Sequence, residues 1–188
     1  MRIIGGRFRG TALAAVGTGD PAAHLRPTSD RVRESLFNVL QGGRFGDPVT
    51  DARVLDIFAG TGALGLEALS RGASHATFVE TGRTALSLLR QNIAKTRTAE
   101  ETTVVTRDAT RLGAHGGAGF DLVFLDPPYG KGLGEKALAV AADGGWLADK
   151  ALIVWEDSAP KEAPPRFALL ESRRYGDTHI TFQRFSAD

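Results

Sequence analysis

Five apolar runs of strand length alternate with helical patterns through this 188-residue chain, and that alternation constrains the fold more than any other feature. The runs are RVLDIFA (53–59), HATFVE (75–80), TTVVTRDA (102–109), DLVFLDP (121–127) and ALIVWED (151–157). Between them lie GALGLEALSRG, GRTALSLLRQNIAKT and GEKALAVAADGG. Parallel strands need a long crossover, which a helix supplies, so this order predicts a parallel sheet covered on both faces. FALLESRRYGDTHITFQRF adds two strands about a turn at Tyr175-Gly176-Asp177-Thr178. The expectation is an α/β, Rossmann-like fold, with a mostly parallel seven-stranded sheet and an antiparallel C-terminal hairpin.

The N-terminal part differs. RIIGGRFRGTALAA reads as a small β-hairpin bending at its glycines, and residues 17–25 as a polar loop. RPTSDRVRESLFNVLQGG reads as a helix capped by Thr28 or Ser29 and stopped by Gly42, with Val32, Leu36, Val39 and Leu40 as its apolar stripe. Residues 1–25 are therefore expected to extend a main domain over 26–188. Net charge is only +1, but residues 1–44 carry seven arginines against three acids, while residues 45–160 carry 11 basic and 15 acidic residues. A basic arm on a slightly acidic body suits a polyanion, and Arg2, Arg7 and Arg9 stand without an acid among the first ten residues.

Composition removes several chemistries. The absence of cysteine excludes disulfides, thiolate zinc sites and a cysteine nucleophile. His24, His75, His115 and His179 are scattered without metal-ligand spacing, so no metal site is expected. The longest apolar runs are too short to span a membrane, and the first residues lack the apolar core of a signal peptide, so a cytoplasmic protein is expected.

VLDIFAGTGALG places Gly60-Thr61-Gly62 and Gly65 between a strand and a helix, where glycines let a ligand approach backbone N–H groups. Glu80 ends the second run, 18 residues after Gly62, and can accept both hydroxyls of a ribose. A dinucleotide would place its pyrophosphate at the helix start. Asp56, four residues before Gly60, would repel a pyrophosphate but suits a ligand with a cationic amine. S-adenosylmethionine (SAM) has such an amine, a sulfonium and no phosphate. Asp108 adds an acceptor suited to an adenine amino group. Asp56, Glu80, Asp108 and Asp126 all fall at carboxyl ends of runs, where open α/β sheets bind ligands.

LDPPYG, residues 125–130, ends the fourth run on an acid, two prolines and an aromatic ring. An exocyclic base amine is a poor nucleophile because its lone pair spreads into the ring. Accepting hydrogen bonds from both amine hydrogens turns that lone pair toward a methyl donor. Asp126 and the carbonyl of Pro127 are such acceptors, Pro127 and Pro128 stiffen the strand end, and Tyr129 can stack on a base taken out of its helix. Methylation at a pyrimidine C5 usually needs a cysteine, which this chain lacks.

MRIIGGRFRG, RPTSDRVRESLFNVL, VLDIFAGTGALGLEALSRGA, VFLDPPY and RRYGDTHITF resemble, in the same order, segments of the RsmD family, the 16S ribosomal RNA guanine-N2 methyltransferases, within the class I SAM-dependent methyltransferases. The resemblance implies methylation of one guanine N2 (guanine 966 in that family), on the 30S ribosomal subunit or its assembly intermediate, by a monomer. It implies SAM contacts from Asp56, Gly60, Thr61, Gly62, Glu80, Asp108, Ala109 and Thr28, and brings Arg26 and Arg31 close to the site as RNA-binding residues beside Arg2, Arg7 and Arg9. Guanine presents two neighbouring donors, N1–H and N2–H₂, that a carboxylate can accept, whereas adenine N1 is an acceptor. An adenine-N6 methyltransferase of DNA or RNA, a protein amide methyltransferase and a non-catalytic ribosome-assembly factor that binds RNA remain open, because DPPY is shared among amine methyltransferases. A dinucleotide oxidoreductase is disfavoured by Asp56 and by the missing catalytic His/Lys/Tyr pattern.

Overall fold

The computed structural model describes residues 1–15 and 29–187; Thr28, Arg26 and the 17–25 loop lie outside the described residues. Seven strands form one sheet: β1 Arg53–Ile57, β2 His75–Val79, β3 Thr102–Val105, β4 Phe120–Leu125, β5 Leu147–Asp157, β6 Phe167–Tyr175 and β7 Thr178–Phe185. Their order is β3-β2-β1-β4-β5-β7-β6, parallel except for β7, which pairs antiparallel with both β5 and β6. The expected α/β, Rossmann-like architecture is present, C-terminal hairpin included.

Strand alternation divides the core into two layers. Val54, Phe78, Leu122, Phe124, Val154 and Phe182 face one side, where α1 (Asp30–Gln41), α2 (Ala63–Ser70) and α3 (Arg83–Thr96) pack. Leu55, Ile57, Val123, Leu125, Ile153 and Trp155 face the other, covered by α4 (Leu133–Asp143) and the turn at Ala109–Arg111. Each fully buried Leu or Phe of these layers contributes roughly 1.5–3 kcal/mol of apolar transfer. No helix among the described residues is long and apolar enough to cross a membrane.

Four local expectations change. Helix α1 begins at Asp30, with the Ser29 hydroxyl accepting from the Val32 amide, and it buries Arg33 and Phe37 along with Leu36 and Leu40. Val32 and Val39 are only half-buried. The N-terminal hairpin reduces to one antiparallel bridge, Arg2 to Ala12, around a tight turn at Gly6–Phe8. Ile3 and Leu13 from this segment are buried in the same core as α1 and α2. The third strand stops at Val105, so Asp108 does not end it but caps the short Ala109–Arg111 turn. Strand β5 starts earlier than its apolar run, at Leu147, and takes up the extra residues in a bulge opposite Phe120/Leu122, with Lys150 at φ 63°.

Candidate functional site

The sheet order reverses between β1 and β4, since β2 and β3 lie on one side of β1 and β4 and β5 on the other. Open α/β sheets bind ligands in the crevice at such a point, outside the carboxyl ends of the strands. The residues after Ile57 and Leu125 therefore share one mouth, and the Asp126 amide donates to the Ile57 carbonyl at 3.4 Å.

Phe58 leaves β1 at φ 62°, a left-handed conformation unusual for a bulky residue, and turns the chain into the glycine loop. Gly62, at φ 78°, starts α2. A Cβ there would lie 2.4 Å from Leu89 Cδ1, and one on Gly65 would lie 2.4 Å from Phe78 Cε1. Gly65 thus lets α2 settle directly on the sheet, and Gly62 lets its start pack against α3. The Gly65 amide donates to Asp56 Oδ2 at 3.0 Å. Burial, more than the nearby Glu80, pushes the Asp56 carboxyl up to about 8, against the lowering effect of the Gly65 hydrogen bond. Asp56 is only 2% exposed, so its charge is costly until a cation offsets the burial.

Glu80 fastens the loop. Its Oε2 accepts from the Gly60 amide at 2.8 Å, and its Oε1 accepts from Thr81 and Gly82 at 2.8 and 2.7 Å. Thr61 is buried, and its carbonyl accepts from the Asn92 side chain at 2.9 Å. Asn92, which no sequence motif singles out, also exchanges hydrogen bonds with the backbone of Ala14.

A cavity of about 510 Å³ opens beside this loop, lined by Phe58, Val79, Glu80, Asp108, Ala109 and Pro128 among others. Asp108 is exposed; hydrogen bonds from the Thr110 hydroxyl and amide, both 2.8 Å, hold its carboxyl below the ordinary range. Arg83 and Arg107 also line the cavity. Apolar walls for a flat base and carboxylate acceptors for hydroxyls and an amine together fit an adenosyl group.

Asp126 stands partly exposed next to this cavity. Its carboxyl is raised well above the ordinary range, first by burial and then by Glu156, Asp56 and Asp157. Pro127 is buried against α4, where a Cβ on Gly134 would lie 3.0 Å from its Cγ. Pro128 is exposed and lines the cavity. Tyr129 is half-buried; burial first, then Glu156 and Asp126, pushes its phenol up to about 12, against a hydrogen bond with Thr178. Glu156 and Asp157 are absent from the sequence-based candidates although ALIVWED, like HATFVE, ends on an acid. They are 8% and 5% exposed.

The basic residues divide. Arg31 is exposed in the first turn of α1, and Arg9 is exposed in the N-terminal segment. Arg2, with its side chain 68% exposed, pairs loosely with Asp30 at 3.7 Å. Arg7 is hydrogen-bonded to Glu101 and lies over the Phe8 ring, 4.4 Å from its centroid. Arg33 is fully buried, hydrogen-bonded to the Arg2 carbonyl and to Asp30. Behind the segment, the fully buried Glu67 accepts from the Ile4 and Gly5 amides at 2.8 and 2.9 Å and from Arg71 Nε at 2.7 Å.

Residues 1–184 match the family model described as "Conserved hypothetical protein 95". Over 164 residues, 87% of this chain and 78% of the relative, the chain is 44% identical to ribosomal RNA small subunit methyltransferase D of Escherichia coli strain K12. It is 35% identical over 181 residues to the Haemophilus influenzae protein of the same name, covering 94% of this chain and 89% of that one. The solved structure of yhhF from Escherichia coli superposes with a TM-score of 0.83 at 40% identity, over 100% of this chain and 99% of that one. TrmN from Thermus thermophilus shares the fold alone, at a TM-score of 0.64 and 21% identity over 88% of this chain and 52% of that one.

Proposed function

Since the chain belongs to the RsmD family, the family matched along residues 1–184, we propose that it is a SAM-dependent methyltransferase acting on the N2 amine of one guanine in 16S ribosomal RNA. Its relatives are named as small-subunit ribosomal RNA methyltransferases, and the same substrate, presented on the 30S subunit or its assembly intermediate, is proposed here. The observation that carries this reading is Asp126-Pro127-Pro128-Tyr129 at the sheet's reversal point, with Pro128 opening onto the cavity that Glu80 and Asp108 line.

SAM, when bound, supplies an electrophilic methyl group. Glu80 would accept the ribose hydroxyls, Asp108 the adenine amine, and Asp56 would face the cationic end. Asp126 and the Pro127 carbonyl would hold the two N2 hydrogens, while Tyr129 would support the base face. On accepting a methyl group, N2 would have to shed one proton. Asp126 is suited to receive it, because desolvation of its carboxyl and the acids around it raise its affinity for a proton.

Purified protein incubated with SAM and 30S particles lacking the modification should place N2-methylguanine at a single 16S position, read by mass mapping of RNA fragments. N6-methyladenine as the product would overturn the guanine assignment, and no incorporated methyl would overturn the enzymatic reading.

A further inference from the structure

Helix α3 carries Arg83, Arg90 and Lys95 but no acidic residue, and Arg97 caps its end. Arg83, Arg90 and Arg97 recur every seven residues, so they form one row along the helix, roughly 10.5 Å apart and about 21 Å in all. All three are exposed, and among the described residues none has an ion pair or a side-chain hydrogen bond. The neighbouring Glu101 pairs with Arg7, and Glu100 stands exposed without joining the row. Cations on a helix surface ordinarily gain from acids three or four residues away, and α3 offers none. The helix dipole suits Arg97 at the carboxyl end but disfavours Arg83 in the first turn. Local stability therefore does not account for the row.

Its place on the molecule does. Asn92 faces the glycine loop and Ala14, so the N-terminal segment lies on that flank of α3. At about 3.6 residues per turn the row lies roughly 140–180° around the helix from Asn92, on the flank toward the β3 edge of the sheet. Between the two flanks Thr84, Ser87, Gln91 and Ala94 are exposed and uncharged. The row begins at the cavity: Arg83 lines it together with Arg107 and Pro128. Asp126 beside that cavity feels Glu156, Asp56 and Asp157. A floor of acids repels phosphate, so a strand that delivers a base there must lay its backbone outside it. Resting on the RNA reading above, we propose that Arg83, Arg90 and Arg97 form a phosphate track, which holds the sugar–phosphate backbone of the RNA strand leading to the target nucleotide. With the basic N-terminal segment on the other flank, the strand is gripped from both sides of α3.

The test uses the full-length double variant Arg90→Gln/Arg97→Gln, which spares Arg83 because that residue also lines the cavity. Binding to 30S particles lacking the modification is measured by filter retention at several salt concentrations. Affinity should fall on the order of tenfold, and the slope of log affinity against log salt should flatten by roughly 1.5–2 units. SAM affinity and melting temperature should match wild type. Arg90→Lys/Arg97→Lys should restore the slope, since a phosphate contact of this kind needs the charge. Lys136→Gln/Lys150→Gln removes the same charge from exposed positions on α4 and β5 and should keep the wild-type slope. Wild-type affinity and slope in Arg90→Gln/Arg97→Gln overturn the track while the methylation reading stands. Lost affinity with an unchanged slope assigns the row to an acidic protein of the particle, and equal flattening in the lysine variant assigns the effect to total charge; either result overturns the track. Methyl transfer by wild type to the same particles is read separately, and its absence overturns the methylation reading and the track with it.

Discussion

The buried side chain of Asn92 on α3 donates to the Thr61 carbonyl at 2.9 Å and so fixes the centre of the glycine loop. The same amide group reaches the Ala14 carbonyl at 3.1 Å and takes the Ala14 N–H at 2.7 Å, which ties the N-terminal segment to that loop. Asn92→Ala leaves these backbone groups without partners in a dry setting. It should cost about 1–3 kcal/mol of unfolding free energy in urea titration. It should also weaken SAM binding through the loop, and unchanged calorimetric affinity would show that the loop holds its shape without this clamp.

Asp126→Ala removes the side-chain acceptor for the amine. Methyl transfer to 30S particles should fall at least a hundredfold, about 2.7 kcal/mol in barrier, with SAM affinity nearly unchanged. Turnover near wild type in the purified variant would remove Asp126 from the reaction.

Glu80→Ala should weaken SAM binding by roughly 1.5–3 kcal/mol, the range for hydrogen bonds to a charged group. Part of that loss comes from the Gly60, Thr81 and Gly82 amides, which lose their shared acceptor. Titration calorimetry giving wild-type affinity would take Glu80 out of the cofactor site.

The Asp56 carboxyl, ordinarily near 3.8, is pushed up to about 8 by burial. In the ligand-free fold it keeps a proton that the unfolded chain releases, so its contribution to stability falls as pH rises from about 4 to about 8 and then levels. Asp56→Asn lacks this penalty. The melting temperature of the variant minus that of wild type should therefore grow between pH 5 and pH 8. Binding of cationic SAM favours the ionised carboxyl, so wild type should release a proton on binding at pH 7. Calorimetry in two buffers of different ionisation enthalpy measures that release, and none from wild type would place the cation elsewhere.

Replacing Arg2, Arg7 and Arg9 together by alanine should lower 30S affinity and flatten its dependence on log salt by roughly two to three units, one for each phosphate no longer neutralised. Melting temperature should change little, because the ion pairs of Arg2 and Arg7 are exposed. Identical salt slopes for the two proteins would leave these arginines as a solvated surface.

The sheet was legible because its signals are local: each apolar run marks a strand, and each glycine or proline marks where it stops. Glu80 and Asp126 were visible for the same reason, standing at the ends of their runs. Arg33 and Glu67 were not, since a charged residue inside a helix reads as solvent-facing until its partner is known. Glu67 meets the Ile4 and Gly5 amides across more than 60 residues, and no pattern within α2 announces that. Asn92 was hidden likewise, its partners lying 31 and 78 positions away. Asp108 misled because TTVVTRDA continues the strand-like composition past Val105, while its own hydrogen bonds to Thr110 draw the backbone into a turn. Glu156 also stands at the end of an apolar run, but no motif follows it as Pro127-Pro128-Tyr129 follows Asp126.

Strand β7 is made after β6 yet lies between β5 and β6 in the sheet. During synthesis β6 has no place to dock until residues 178–185 arrive, and β5 meanwhile presents a bare edge. The β5 register that sets Glu156 beside Asp126 is thus bordered on one side by the part of the sheet made last. A nascent chain can pair β1, β2 and β4 before that edge of β5 is braced. Exposed strand edges recruit other chains, so the interval before β7 inserts is the moment at which this protein is most open to mispairing.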